Sequence, residues 1–213
     1  MWWGKKNKKT PGEAPDKTKI KTNLEENIKE LDAEMGIKKS FDLLTRELSI
    51  GGTKVTLLFI DGLTNDQVVT LVLQNLTRLE RAEILPDALK KLFNTHLGYT
   101  ELEEVQYLED IVDKILAGPM AILVDGSDQA LILDARTYPV RNPEEPDLER
   151  VVRGSRDGFV ETLVFNTALI RRRIRDPKLR MEYLQVGTRS KSDVVVCYIE
   201  DIVDGARFLE VAG

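Results

Sequence analysis

Apolar residues recur along this chain at two periods, and the switches between them mark out its elements. Leu24, Ile28, Leu31 and Met35 stand three or four apart and stop at Gly36, which predicts an amphipathic helix entered through the capping-box pair Thr22 and Glu25. Leu44 to Ile50 and Lys54 to Ile60 are β-favouring runs on either side of Gly51-Gly52, a pair that accepts the positive φ of a tight hairpin turn. Asp61-Gly62 ends the second run. Thr64 with Gln67 predicts the cap of a helix whose face is Val68, Leu71, Val72 and Leu76. Residues 86 to 117 read as helical, first through Leu89, Leu92 and Phe93, then through Val105, Leu108, Ile111, Val112 and Ile115, with Gly118 as the stop. A further hairpin, Met120 to Val124 and Gln129 to Asp134, turns at Asp125-Gly126-Ser127-Asp128. The order β-β-α-α-β-β predicts a mixed sheet with helices packed on it.

Pro139, Pro143 and Pro146 mark 139 to 148 as an extended boundary. A glycine-punctuated loop follows, Arg153-Gly154-Ser155-Arg156-Asp157-Gly158, and opens into a helix with the stripe Phe159, Leu163, Ile170 and Ile174. Strands are expected at Leu179 to Val186 and Asp193 to Ile199. Val194 to Ile202 aligns without gaps on Val55 to Leu63, and each copy is preceded by another strand across a glycine-containing turn. The fold class is therefore α/β of the α+β mixed kind, with two related subdomains of mixed sheet and packed helices, the second incomplete. The expected organisation is a flexible basic tail over 1–21, a first α/β subdomain over 22–140, a joint over 141–178 and the start of a second, truncated α/β subdomain over 179–213.

In the loop, Asp157 can cap the helix, and free backbone N–H groups near Arg153 and Arg156 favour an anion. Gly154 and Gly158 permit the sharp turn. The spacing is neither GxxxxGK[ST] nor GxGxxG after a strand, so the nucleotide motifs fail and the loop stays open between a capped structural turn and an anion cradle. Asn166 falls inside the apolar stripe. A buried amide must be satisfied, so Asn166 is expected to bond the backbone of a neighbouring loop and lock two elements together. Arg171, Arg172, Arg173 and Arg175 lie in the last turn, where positive charge suits the helix dipole. They point in different directions. Pairing with the acidic run Glu144, Glu145, Asp147 and Glu149 is favoured over pairing with a partner subunit.

Composition narrows the function classes. With 31 Lys and Arg against 36 Asp and Glu, the net charge of -5 argues against a general nucleic-acid binder, whose affinity rests on a basic surface. Residues 1 to about 21 hold seven lysines, two prolines and almost no aliphatic residue, a composition that reads as disordered, although Trp2 and Trp3 beside lysines could also touch an anionic membrane surface. One histidine, His96, and one cysteine, Cys197, cannot assemble a Cys/His zinc site, and no nucleophile signature supports His96 in a triad. Cys197 reads as a small buried hydrophobe before it reads as a reactive thiol. Neither a cofactor, a metal site nor an enzyme is expected.

Pro143 to Asp147, Val151 to Phe159, Asn166 to Ile174 and Cys197-Tyr198-Ile199 together resemble the A subunit of GerA-type spore germination receptors, over about residues 40 to 203. The resemblance implies a cytosolic region of two α/β subdomains ahead of a bundle of membrane helices in the inner spore membrane. It also implies oligomeric, ion-conducting assemblies with other germination-protein subunits that respond to nutrients. On that basis the chain is expected to be a non-catalytic regulatory and assembly module, homo-oligomeric in the full-length protein and tied to the membrane through a missing C-terminal domain. The alternative it leaves open is a small-molecule nutrient module using Arg153 to Gly158. Gly205 to Gly213 departs from the family's pattern.

Overall fold

Gly51 and Gly52, at φ of 55° and 85°, take the two positive-φ positions of a two-residue turn and fold Leu43–Ile50 (β1) antiparallel onto Thr53–Ile60 (β2). The computed structural model describes residues 17–77, 102–137 and 158–204. In chain order the remaining elements are α1 (Leu24–Met35) before β1, then α2 (Asp66–Thr77), β3 (Leu102–Val105), α3 (Leu108–Leu116), β4 (Met120–Val124), β5 (Ala130–Leu133), α4 (Leu163–Arg173), β6 (Leu179–Val186) and β7 (Ser192–Ile199).

Five strands form one sheet in the order β1-β2-β4-β5-β3, and β6 with β7 forms a second, two-stranded sheet. Every pairing is antiparallel, where chain order had suggested a mixed sheet. The first sheet is covered on both faces at its centre, which explains why β2, β4 and β5 carry long buried runs: an antiparallel sheet with one wet face would alternate. Leu58 and Ile60 of β2 pack with Leu31 of α1 and Ile111 and Ile115 of α3, while Val55, Leu57 and Phe59 pack with Val69, Val72 and Leu76 of α2. The result is three layers with the core split by the sheet.

Local departures from the sequence reading have physical causes. Asn23, not Thr22, caps α1, its side chain accepting from the N–H groups of Glu25 and Glu26. Asn65, not Thr64, caps α2 in the same way, which frees the Thr64 hydroxyl to donate to the Gly118 carbonyl. Starting α2 there turns Val69, Val72 and Leu76 inward and leaves Leu71 44% exposed. Within the described part of the stretch expected to be helical, residues 102–117, Leu102–Val105 is an edge strand and Leu108–Leu116 is helix; Leu89, Leu92, Phe93 and His96 lie outside the described residues. The end of the expected tail is packed: Ile20 is buried and donates its N–H to the Gln106 carbonyl, and the Thr18 N–H donates to the Glu109 carboxylate. Cys197, expected to be buried, is exposed on β7.

The β6–β7 hairpin repeats β1–β2 down to single hydrogen bonds. The Asp61 N–H donates to the Asp42 carbonyl just ahead of β1, and the Glu200 N–H donates to the Lys178 carbonyl just ahead of β6. After β2 the N–H groups of Leu63 and Thr64 both reach the Ile60 carbonyl, and after β7 those of Ile202 and Val203 both reach the Ile199 carbonyl. The helices ahead of the hairpins match as well. Asn27 of α1 accepts from the Lys21 N–H and donates to the Lys21 carbonyl, at 2.9 and 2.6 Å. Asn166 of α4 closes the same ring on Val160, at 2.8 and 2.7 Å. The interval from Asn27 to Asn166 equals that from Val55 to Val194, so the repeated unit is a helix with its following hairpin.

Gly36 carries a tertiary constraint. Gly36 ends α1 at φ 65°, and a Cβ there would fall 2.4 Å from Nε of Arg180, whereas Gly126 at φ 89° has open space around it. Gly36→Ala should cost about 2 kcal/mol or more and Gly126→Ala about 1 kcal/mol, read from urea unfolding curves. Equal costs would mean that Arg180 does not press on the α1 terminus.

Candidate functional site: the joint between sheet and hairpin

Two arginines fasten the second hairpin to the first unit, Arg171 at the start of β1 and Arg180 at the end of α1, and both are removed from water. Arg171, in the last turn of α4, has a fully buried side chain facing Asp42, whose side chain is 2% exposed. The guanidinium grips both carboxylate oxygens, Nε to Oδ2 at 2.8 Å and Nη2 to Oδ1 at 3.0 Å, while Nη1 donates to the Leu179 carbonyl at 3.2 Å. One planar group thereby holds the residue before β1, the first residue of β6 and its own helix. Only arginine offers that fork.

Arg180, the second residue of β6, fills the space that Gly36 leaves at the end of α1. Its Nη1 donates to the Met35 carbonyl at 2.7 Å and the Pro177 carbonyl at 2.6 Å, and Nη2 reaches Glu200 Oε2 at 2.5 Å. Placing a cation on the terminal carbonyls of α1 satisfies acceptors the helix cannot use and suits the negative end of its dipole. Nε of Arg180 is buried without a hydrogen-bond partner. At the rim, Lys39 pairs with Glu200 and Lys178 with Glu34. Lys39, with Arg180 behind it, holds the Glu200 carboxyl below its usual range. A depressed carboxylate contributes stability above its unfolded pKa and loses it as pH falls through the folded value, so this latch weakens in acid.

Backbone and apolar contacts complete the joint. The Phe41 N–H donates to the Met181 carbonyl at 3.0 Å, the Met181 N–H donates to Ser40 Oγ at 3.2 Å, and the Phe41 and Tyr183 rings meet at 6.0 Å. On the opposite side Gly62 receives α4, with the Ala168 methyl 3.0 Å from where a Cβ would stand. An open groove of about 530 Å³ crosses the joint, lined by Lys38, Lys39, Phe41, Glu182 and Tyr183.

Of the residues singled out in the sequence, Arg153, Gly154, Arg156 and Asp157 lie outside the described residues, as does the acidic run 144 to 149; Gly158 is exposed. Helix α4 begins at Leu163 after Thr162, so Phe159 precedes it and is 68% exposed. Asn166 does bond a loop backbone, but the loop is its own lead-in, and Asn27 does the same for α1. Arg171 pairs with Asp42, and Arg172 and Arg173 are exposed; the acidic run expected to pair with these arginines lies outside the described residues. Asp42, Arg180, Glu200 and Asn27 were missed. Extending the Val55/Val194 alignment upstream would have found Asn27; nothing local marks Asp42, which lies 129 residues from its partner.

The architecture defines a bipartite α/β scaffold whose buried charge is spent on holding its two parts together. It shares its fold with the crystal structure of the N-terminal domain of the A subunit of the Bacillus megaterium spore germinant receptor GerK3, at TM-score 0.72 and 22% identity over 92% of this chain and 71% of that one. The model of the Bacillus/Clostridium GerA spore germination protein family matches residues 29–212, and the chain belongs to that family. It is 40% identical over 194 residues to stage V sporulation protein AF of Bacillus subtilis (strain 168), covering 91% of this chain and 39% of that protein. It is 35% identical over 188 residues to spore germination protein GerLA of Bacillus cereus, covering 87% and 38%. The chain thus spans about two fifths of the length of these curated relatives.

Two stability measurements probe the site. Asp42→Ala strands the Arg171 charge in the interior and should cost about 3 to 5 kcal/mol, whereas Asp42→Leu combined with Arg171→Met should recover most of that loss. A double variant no more stable than the single one would contradict the pairing. Asn27→Ala and Asn166→Ala each open a two-bond ring and should each cost about 1 to 3 kcal/mol in chemical unfolding.

Proposed function

We propose that this chain is the regulatory and assembly module of a spore germination membrane protein, a non-catalytic region that couples a germinant signal to an ion-conducting membrane complex through protein contacts. Its organisation is a first α/β unit over 22–140, a joint over 141–178 and the opening of a second unit over 179–213. In the full-length protein the region sits on the cytosolic side of the inner spore membrane, beside other germination subunits and further copies of itself. The membrane-crossing part belongs to a C-terminal domain. Among the described residues no helix is long and apolar enough to cross a membrane.

The observation that carries this reading is the use made of Arg171, Arg180 and Asp42: they set how the hairpin sits on the sheet. A module that works by orientation needs a joint held by directional contacts, since a greasy interface would slide. The nutrient reading would rest on Arg153, Gly154, Arg156 and Asp157 outside the described residues, and no observation favours it.

Arg171→Lys in the full-length protein tests the proposal, because it keeps the charge and loses the fork. The variant should accumulate in spore membranes at the wild-type level yet release ions and germinate more slowly. Protease-detected loosening of the hairpin with germination at the wild-type rate would contradict the coupling role.

A further inference from the structure

Residues 17–20 are laid against the entry of α3. The Leu108 N–H donates to the Thr18 carbonyl at 2.9 Å, the Ile20 N–H donates to the Gln106 carbonyl at 3.0 Å, and Lys19 bridges Tyr107 in the antiparallel sense. Lys17 then pairs with Asp110 at 2.5 Å and stands 5.5 Å from the centre of the Tyr107 ring. Asp110, with Asp113 and Glu109 behind it, holds the Lys17 ammonium above the usual lysine range. Two open hollows adjoin this entry and share Asp113. One, of about 430 Å³, lies between α1 and α3, with Glu30, Glu34 and Asp113 around Leu31 and Val112 and with Pro177 of the joint on its wall. The other, of about 390 Å³, lies beside β3 and is lined by Glu103, Glu104 and Asp110. Lys21, Lys178 and Lys114 pair with Glu30, Glu34 and Glu103. Glu104 and Asp113 are exposed and make no ion pair among the described residues. Glu109 and Asp110 suit the positive end of α3, but Asp113 stands a turn further on and Glu104 is on β3, so the dipole accounts for neither.

We propose that residues 1–16, which lie outside the described residues, serve as an intramolecular strap whose Lys5, Lys6, Lys8 and Lys9 occupy the two acidic hollows beside α3. The inference rests on charge and chain connection and not on the function proposed above. Four lysines against Glu13 and Asp16 leave the segment basic, and it enters the structure at Lys17, where one lysine is already seated on the same acidic surface. From Lys17 back to Lys9 the chain spans up to about 28 Å, twice the roughly 14 Å length of α3, so the lysines reach both hollows. An exposed ion pair is weak by itself, but a tether of this length holds the lysines at an effective concentration of the order of millimolar beside Glu104 and Asp113. A strap in the α1–α3 hollow also touches Pro177, whose carbonyl accepts from Arg180, and so bears on the joint.

Trp2 and Trp3 are the only tryptophans of the chain, so the anisotropy of tryptophan fluorescence reads the segment alone. At low salt the wild-type chain should show higher anisotropy than a Glu104→Lys, Asp113→Lys variant, whose melting temperature should be unchanged because both side chains are exposed and unpaired. Replacing Lys5, Lys6, Lys8 and Lys9 with Gln leaves the hollows untouched and should give the same low value. Replacing them with Glu in the Glu104→Lys, Asp113→Lys background should restore the high one. In about 1 M salt, where charges are screened beyond about 3 Å, the wild type should fall to the level of the variants. Equal anisotropy in the wild type and the Gln variant at low salt would overturn the proposal. So would a difference that grows with protein concentration, which would place the segment on a second copy. Tryptophan emission that changes only on vesicles of phosphatidylserine and phosphatidylcholine, with wild type and variants alike in their absence, would make an anionic membrane the partner and overturn it as well.

Discussion

The ion pair between Arg171 and Asp42 is the constraint on which the arrangement of the molecule turns. Taking both groups out of water costs several kcal/mol per ion, and that cost is recovered only when the geometry is good and the remaining donors find partners. Both conditions are met here, with two bonds to the carboxylate and a third to the Leu179 carbonyl. The pair is therefore a weak source of net stability and a strong source of position. Any slide of the hairpin along the sheet leaves two buried charges unmatched. Arg180 adds a second fixed point by filling the space beside Gly36 and bonding the end of α1.

These two anchors explain features that look unrelated in the chain. The basic last turn of α4 divides its arginines between an inward one that joins, Arg171, and the exposed Arg172 and Arg173. Gly36 stops α1, and it also leaves room for a guanidinium. Gly62 ends β2, and it also lets α4 approach closely enough for Ala168 to enter the main core. Each glycine lies where one repeated unit meets the other, and membership of the GerA family gives the joint its biological setting.

Much of the fold was legible because burial on both faces leaves a strong mark: Leu57 to Ile60 and Met120 to Val124 are unbroken apolar runs, and Gly51-Gly52 fixes the turn. The caps were placed one residue early, since Thr22 and Thr64 each precede an Asn that competes better for the same N–H groups. β3 was hidden because Leu102-Glu103-Glu104-Val105 is four residues long with two glutamates, and its strand character comes from pairing with β5. The joint was the least legible part. Asn166 and Arg171 were found by their positions on an apolar helix, but the partner of Arg171 is a single aspartate 129 residues away, fixed by topology and not by any local pattern.

The most direct test of the joint is a distance distribution across it. Nitroxide labels at Asp128, in the β4–β5 turn, and at Thr188, in the β6–β7 turn, can be read by pulsed electron paramagnetic resonance in a Cys197→Ser background, with and without Asp42→Asn. One narrow distance that broadens or splits in Asp42→Asn, while far-ultraviolet circular dichroism stays unchanged, is the result expected if Arg171 and Asp42 set the placement of the hairpin. The same narrow distance in both proteins would show that the hairpin is held by other contacts.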